Sequence, residues 1–363
     1  LLLEDEQELV TGQRLPYPLD TVEDAIAQAG AQCLTEGITA CVDAGIGAGI
    51  ESLSALDLAA FARLRARGKL PVRVQLMPFH GVLHPLAGHE RDGVSVGLDL
   101  GLTQGFGDDW LSLGAVKLWF DGGMMARSAA FTEPYEGTDD LGLLAEEPET
   151  LIDRVLQAHR SGWQVAAHAI GDRAIDVAIE AFERAQRDTP RPDLRHRIEH
   201  GGYVRDDQVA RLGALGIAIA SQPCFLWGSG DDFTRVVGPE RARGLYRGRS
   251  LLDAGVRLVG STDRPLPGTP LRAMQVLVER RSDRGLAMGP EEAVSVDEAI
   301  RAFTRDAAWA AGWEERLGSL APGKLADFTL LGADPGEVEP AGIGEIPVLA
   351  TYLDGQARWE RSA

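Results

Sequence analysis

The chain has 363 residues, enough for one large α/β barrel or two ordinary domains, and 44% of them are hydrophobic, as in a globular core. A formal net charge of −19 makes the surface strongly acidic, which argues against nucleic acid or an anionic membrane as a partner, because both need basic patches. No apolar run approaches the ~20 residues of a membrane span, and the three cysteines, Cys33, Cys41 and Cys224, lack metal-site spacing, which suits a reducing, cytoplasmic compartment.

Short apolar, β-branched runs alternate with amphipathic helical stretches along most of the chain, which is the pattern of a parallel sheet. The segment Val22 to Glu36 reads as a helix, with Asp20 or Thr21 as its cap and Gly37 closing it. A strand follows from Ile38 (ITACVDAG), then a helix around Leu53 to Arg67 and a second strand from Val72 (VRVQLMPF). The third strand, AVKLWFDGG from Ala115, leads into a long Gly-, Pro- and acid-rich segment reaching about Pro148; so long a loop in a compact domain is usually functional. Helix Glu149 to Arg160 precedes strand WQVAAHAIG, and a helix around Ala174 to Arg187 precedes strand RHRIEHG. Helix Asp206 to Leu215 comes before strand GIAIASQP, and RLVGSTD from Arg257 is the seventh strand. Strands this apolar expect burial on both faces, and seven such units in a row predict a TIM-type (β/α)8 barrel one strand short of its eight. The tail differs: a helix from Val296 to Trp309, a strand within LADFTLL, and a hairpin about Asp354-Gly355. Residues 1–315 are thus expected to form the barrel, and residues 316–363 the C-terminal part of a small β-sandwich.

In barrels of this kind, polar residues at the C-terminal ends of strands make the site. Read in order, those ends carry Lys117 with Asp121, His168, His200 and Asp263. His168 and His200 are one βα unit apart, and Asp263 lies about two units further on. A lysine, two imidazoles and a carboxylate converging on one mouth can hold a divalent cation; Zn2+ suits them best, with Mn2+, Fe2+ and Ni2+ open. Each residue has a plainer explanation. A lone histidine in an apolar strand is more often a hydrogen-bonded core residue, Asp263 can cap the following loop or helix, and Lys117 can pair with a barrel carboxylate such as Asp43. Four such residues in order at four strand ends favour the metal. His80 ends a strand and can line the pocket. His84, His89 and His159 read as loop or helix-surface residues, and His196 starts its strand at the far end. Cys224 follows the sixth strand and can face the pocket, but no base lies near it in sequence to activate it.

The segments VKLWFDGG with RSAAF and PY, AAHAIGDRAID, RIEHGGY, SQPCF and GSTDRP, with the tail LGSLAPGKLADFTLL, resemble the amidohydrolase superfamily, in the branch that includes N-substituted formamide deformylase. The resemblance implies a metal-bridging Lys117 carboxylated by CO2, imidazole ligands at His168 and His200, and Asp263 as both metal ligand and general base. Asp121, Arg127 and Gln222 would be substrate groups or would support the ligands. The implied reaction is hydrolysis of a carbon–nitrogen bond other than a peptide bond, in a small linear amide or N-substituted formamide, with cyclic amide hydrolysis or ring deamination as the alternative. A homo-oligomer stays open. Members of the superfamily carry a His-x-His pair at the end of the first strand, and no His-x-His occurs here. The missing strand, its two ligands and half of the sandwich are therefore expected upstream of Leu1, leaving an unpaired edge on ITACVDAG next to GSTD. A remnant that has lost its metal is the competing expectation, and the chain alone is expected to show little hydrolase activity.

Overall fold

The computed structural model describes Val10, residues 12–49 and residues 52–362. Helix α1 (Leu19–Thr35) starts three residues earlier than expected: Pro18 is its N-cap and no side chain caps it, while Asp20 sits in the first turn. An acid there opposes the helix dipole favourably. Gly37, with φ 80°, ends the turn after α1, and a Cβ at that position would come 2.7 Å from Thr329 Cγ2. Strand β1 (Ala40–Ile46), helix α2 (Asp57–Ala66) and strand β2 (Arg73–Pro78) follow. The third expected strand, from Ala115, is β4 (Val116–Trp119), and a short strand β3 (Leu111–Leu113) precedes it outside the expected segment. Then come α3 (Pro148–Arg160), β5 (Val165–Ala169), α4 (Asp172–Asp188), β6 (Arg197–His200), α5 (Asp206–Leu215) and β7 (Ala218–Ser221).

Among the helices outside the sequence-based expectation are α6 (Cys224–Val237) and, after β8 (Leu258–Gly260), α7 (Pro270–Glu279). Gly228 and Gly230 weaken the helical pattern of α6 in sequence. Gly230 is accommodated by close packing, since its absent Cβ would lie 3.2 Å from Met288 Sδ. The helix expected from Val296 to Trp309 breaks at Thr304 (φ −126°, ψ −87°) into α8 (Val296–Phe303) and α9 (Arg305–Ala310).

Strands β1, β2 and β3 form one parallel sheet, and β4 to β8 form another in chain order. The two are continuous. Val74, Gln75 and Leu76 pair with Leu111, Ser112 and Leu113, and Phe79 then bridges Lys117 in parallel, one residue out of step. The extra residue falls at Gly114, whose N–H donates to Leu76 O at 2.8 Å and whose missing Cβ would strike Gln75 Oε1 at 2.5 Å. The interruption is a bulge in one strand. Among the described residues the outer edges of β1 and β8 pair with no strand, so the hydrogen-bonded sheet is open there rather than a closed barrel.

The sheet nevertheless curves about a common plug at its N-terminal end. The last carbonyls of α9 have no partner within the helix. They accept from Arg195 Nη1 (to Trp309 O, 2.9 Å), Gln164 Nε2 and Arg197 Nη1 (to Ala310 O, 3.1 and 3.3 Å), and Gln75 Nε2 (to Ala311 O, 2.9 Å). Ala218, Ala220 and Val259 pack on Ala310 from the other side. Outside the sheet, Val116, Leu118, Val165, Ala167, Ile198 and Ile219 meet the buried faces of α3, α4 and α5 in the main core. Strand alternation therefore turns Lys117 and His168 inward.

The tail forms an antiparallel sheet of β9 (Phe328–Leu331), β10 (Val348–Leu353) and β11 (Gln356–Glu360). Its hairpin turns at Asp354 (φ 52°) and Gly355 (φ 73°), both left-handed as a two-residue hairpin requires. The Arg73 and Asp327 side chains, each 1% exposed and 2.7 Å apart, tie this sheet to the start of β2. Removing one partner of such a buried pair costs about 3–5 kcal/mol.

Candidate metal centre

Lys117 lies in β4 between two outward core residues, is buried, and has Nζ 5.0 Å from the Trp119 ring centre. Its charge reaches three neighbours, lowering the basicity of both His168 and His200 and stabilising the Glu199 carboxylate. Glu199 is an inward residue of β6, not singled out in sequence because Arg-Ile-Glu-His reads as an ordinary strand end. Burial pushes its carboxyl upward, but Arg197 (Nε–Oε1, 2.5 Å) and Lys117 together hold it below the usual range.

His168, in β5, stacks on Trp119 (ring centres 4.2 Å, 25°) and meets His200 edge-on (4.4 Å, 69°). Its Nε2 faces Gly122 O at 3.3 Å and Asp121 Oδ1 at 3.5 Å, while Nδ1 is buried without a partner. The acceptors around Nε2 assign the proton to that nitrogen, leaving the Nδ1 lone pair bare. Burial first, then the neighbouring His200 and Lys117 charges, push this imidazole well below its ordinary value, so it is neutral at physiological pH.

His200 ends β6 with φ 76°, a left-handed conformation that a non-glycine residue adopts at a cost of about 1–3 kcal/mol. Its Nδ1 is also buried and unpartnered, and burial lowers its basicity against the opposing pull of Asp263. Asp263 follows β8, also left-handed at φ 54° and partly exposed. No side-chain hydrogen bond to its carboxylate occurs among the described residues; the backbone carbonyl takes the Leu266 N–H at 3.1 Å, so the turn is not capped by the side chain.

Asp121 is wholly buried. Its carboxylate accepts the N–H groups of Ala130 (2.9 Å), Ile170 (3.0 Å) and Gly171 (2.8 Å) while facing His168. It ties the long 120–147 loop to the turn after β5. Gly171 is obligatory there, because a Cβ would fall 1.9 Å from Ala130 O. Gln222 donates to Ala220 O at 2.8 Å beside His200, and its Oε1 is unpartnered. Arg127 stands exposed on a turn of the loop at φ 58°. Tyr246 was not evident in sequence; it is fully buried within the fields of Asp263 and Asp121, and burial chiefly raises its phenol.

Other expected placements change. Cys224 opens α6, buried, with its thiol donating to Thr269 O at 3.5 Å, and burial pushes it up to about 12; a thiol held protonated in this way is no nucleophile. His159, expected on a helix surface, is completely buried against His196. His80 lies after β2, its imidazole pushed down to about 4 by burial and by Arg154. Among the described residues no three His, Cys, Asp or Glu side chains converge as a ligand cluster. His168 and His200 therefore make a two-imidazole element, with the Lys117 amine and the Asp263 carboxylate as the neighbouring groups. In both rings a neutral imidazole presents a bare, buried nitrogen, which is the form a metal ligand needs.

Residues 1–358 match the amidohydrolase family. The chain belongs to that family. It is 33% identical over 364 residues to Protein LONG AFTER FAR-RED 3 of Arabidopsis thaliana, covering 98% of this chain and 60% of that protein. It is 32% identical over 253 residues to N-substituted formamide deformylase of Arthrobacter pascens, covering 69% of this chain and 46% of that enzyme. The crystal structure of an uncharacterized metal-dependent hydrolase from Pyrococcus horikoshii superposes with a TM-score of 0.74 at 27% identity, over 93% of this chain and 64% of that one. The chain thus has the α/β fold of metal-dependent hydrolases and spans less than two thirds of the length of these relatives. No helix among its described residues is long and apolar enough to cross a membrane.

Proposed function

We propose that this amidohydrolase acts on a carbon–nitrogen bond other than a peptide bond, in a small linear amide or N-substituted formamide, and that Lys117, His168, His200 and Asp263 hold its divalent metal. The observation that carries this reading is the pair of buried neutral imidazoles, each with an unpartnered Nδ1, beside an inward lysine at parallel strand ends. Two histidines with oxygen donors suit Zn2+. Carboxylation would convert the Lys117 amine from a donor into an oxygen ligand: its nitrogen bonds to the carbon of CO2 and a proton leaves to solvent. When bound, the metal supplies a water of lowered pKa and polarises the scissile carbonyl. Asp263, partly exposed and without a hydrogen bond on its carboxylate, is free to take the water's proton and hand it to the leaving amine. Trp119 and Phe225 flank the imidazoles with apolar surface that limits water at the site. The open edges of β1 and β8 support a further proposal, that one more parallel strand closes a (β/α)8 barrel here, with residues 316–363 as a separate β element. The acidic surface supports a small-molecule partner rather than nucleic acid.

Metal content tests the site. After dialysis against zinc and buffer, the native chain should retain metal, and His168→Ala combined with His200→Ala should weaken zinc binding by on the order of 100-fold or more. Equal retention by both chains would sink the assignment. Turnover of N-formyl amines, with cyclic amides as the comparison, then tests the substrate class separately.

A further inference from the structure

Gln222, one residue past β7, is 2% exposed, and its side-chain amide is only half satisfied. Nε2 donates to Ala220 O at 2.8 Å, whereas Oε1 is buried with no partner among the described residues. The two ends of the amide are not interchangeable here. A backbone carbonyl only accepts, so the NH2 must face Ala220 O and the oxygen must face elsewhere. The fold sets where that oxygen stands. Ala218 and Ala220 pack inward on Ala310 while Ile219 turns outward into the main core, so Gln222 continues the inward series. Strand β7 pairs with β6 on one side, Ala220 opposite Glu199, and with β8 on the other, Ser221 opposite Gly260. Ser261 N–H donates to Ser221 O at 2.9 Å, which holds the segment leading to Asp263 against the end of β7. Gln222 O accepts the Phe225 N–H at 3.1 Å, and the Phe225 ring stacks on His200 (ring centres 6.2 Å, 24°). Gln222 thus ends the strand between the one that carries His200 and the one that leads to Asp263.

We propose that Gln222 is a substrate-binding residue whose Oε1 accepts the N–H of the scissile amide, so that the protein selects amides bearing an N–H over N,N-disubstituted amides and esters. This rests on the hydrolase reading above, in which Asp263 hands a proton to the leaving nitrogen. That nitrogen must then lie on the Asp263 side of the carbonyl carbon, and β7 is the strand beside it. An N–H directed at Oε1 also fixes the plane of the amide. As the C–N bond breaks, the nitrogen lone pair takes the proton from Asp263 while the N–H stays on Gln222. A tertiary amide puts carbon where the N–H belongs, and an ester turns a lone pair toward Oε1. Both leave the buried acceptor without a donor, which is costly. A site built to hydrogen-bond a substrate N–H rejects the analogue that lacks it far more strongly than a difference of one methylene allows.

The test compares N-butylformamide with N-butyl-N-methylformamide and with butyl formate, which matches the first in shape but has no N–H. Binding is read by NMR titration of the metal-free chain. N-butylformamide should bind about tenfold more tightly than either analogue, and Gln222→Met, which keeps the volume but removes the strong acceptor, should bring all three within about twofold. Urea unfolding of Gln222→Met shows whether the variant is folded, and the three affinities of the native chain decide the matter without it. Equal affinities in the native chain, no saturable binding of N-butylformamide, or a preference that survives in folded Gln222→Met would overturn the proposal. With zinc bound, kcat/KM for the two formamides should show the same order in the native chain and lose it in Gln222→Met. A zinc-loaded chain that turns over both formamides equally keeps the hydrolase reading and loses this one. A chain that fails to retain zinc loses the metal site, while the binding preference is still read.

Discussion

A buried histidine pair stands at each end of strands β5 and β6, His159 of α3 with His196 just before β6 at one end and His168 with His200 at the other, and the two pairs are built in opposite ways. At the N-terminal end, Val165 N–H donates to His196 Nδ1 at 3.0 Å, which fixes the His196 proton on Nε2. That proton is donated to His159 Nδ1 at 2.8 Å, and His159 Nε2–H in turn donates to Thr189 O at 2.6 Å. All four ring nitrogens are satisfied. At the C-terminal end, His168 and His200 touch ring to ring, yet neither Nδ1 has a partner. Leaving a buried polar atom unpaired costs about 1–3 kcal/mol. The same chain satisfies every ring nitrogen at the other end of these strands, so the two bare nitrogens mark a place where packing yields to ligand binding. The far pair is structural; the near pair is where a metal belongs.

The comparison breaks most sharply on stability. His196→Ala should cost about 3 kcal/mol, because it strands the Val165 N–H and His159 Nδ1 and removes a ring stacked on Phe182 (5.1 Å, 14°). Zinc binding should be unaffected. His200→Ala should cost clearly less, since the ring it removes has an Nδ1 with no partner to strand, while weakening zinc. Urea unfolding of both variants without metal decides the matter, and equal losses would erase the distinction between the pairs.

A smaller effect sharpens the near pair. Asp121 holds three backbone N–H groups and faces the protonated nitrogen of His168, so it aims the bare Nδ1 rather than meeting substrate. Asp121→Asn should weaken zinc binding about 10–100-fold, as loss of such supporting carboxylates does elsewhere. Zinc competition titration measures it. An unchanged zinc affinity with a large rise in KM would make Asp121 a substrate group instead.

Much of this was legible in sequence. Seven parallel strands appear where apolar runs predict them, because strands buried on both faces have little freedom to be anything else. Lys117 and His168 turn inward because Val116, Leu118 and Ala167 must turn outward. What stayed hidden depends on contacts that no local pattern encodes. Gly228 and Gly230 disguised α6, the break at Thr304 follows from where the carbonyls of α9 find their donors, and His159 looks like a surface histidine until His196 is set against it. Sequence left Asp121 between a substrate role and a supporting one, because two of its three backbone partners, Ile170 and Gly171, come from the turn after β5, far along the chain.

The smallest effect is a slope with pH. Burial first, and the neighbouring His159, push His196 from its ordinary value of 6.5 to about 3, and His159 is lowered as well, chiefly by burial. Between those values the unfolded chain binds a proton at His196 that the folded chain refuses, so acid favours unfolding. The stabilisation is complete above about pH 6.5 and drains away as pH falls toward 3, by at most about 1.4 kcal/mol per pH unit for one histidine. Refusal has a visible cause: His196 Nδ1 already accepts the Val165 N–H and Nε2 already donates, so a further proton must break a bond. His168 and His200 are lowered too, so the native slope sums several histidines. The readout is therefore a difference. In metal-free chain, His196→Leu should flatten the fall of the thermal midpoint between pH 6.5 and 4.5 relative to the native sequence. With zinc present the native slope should steepen, because protons then also compete for His168 and His200. Parallel profiles for native and variant chains would show that the far pair already takes up protons freely, and that its closed hydrogen-bond chain is not what keeps it neutral.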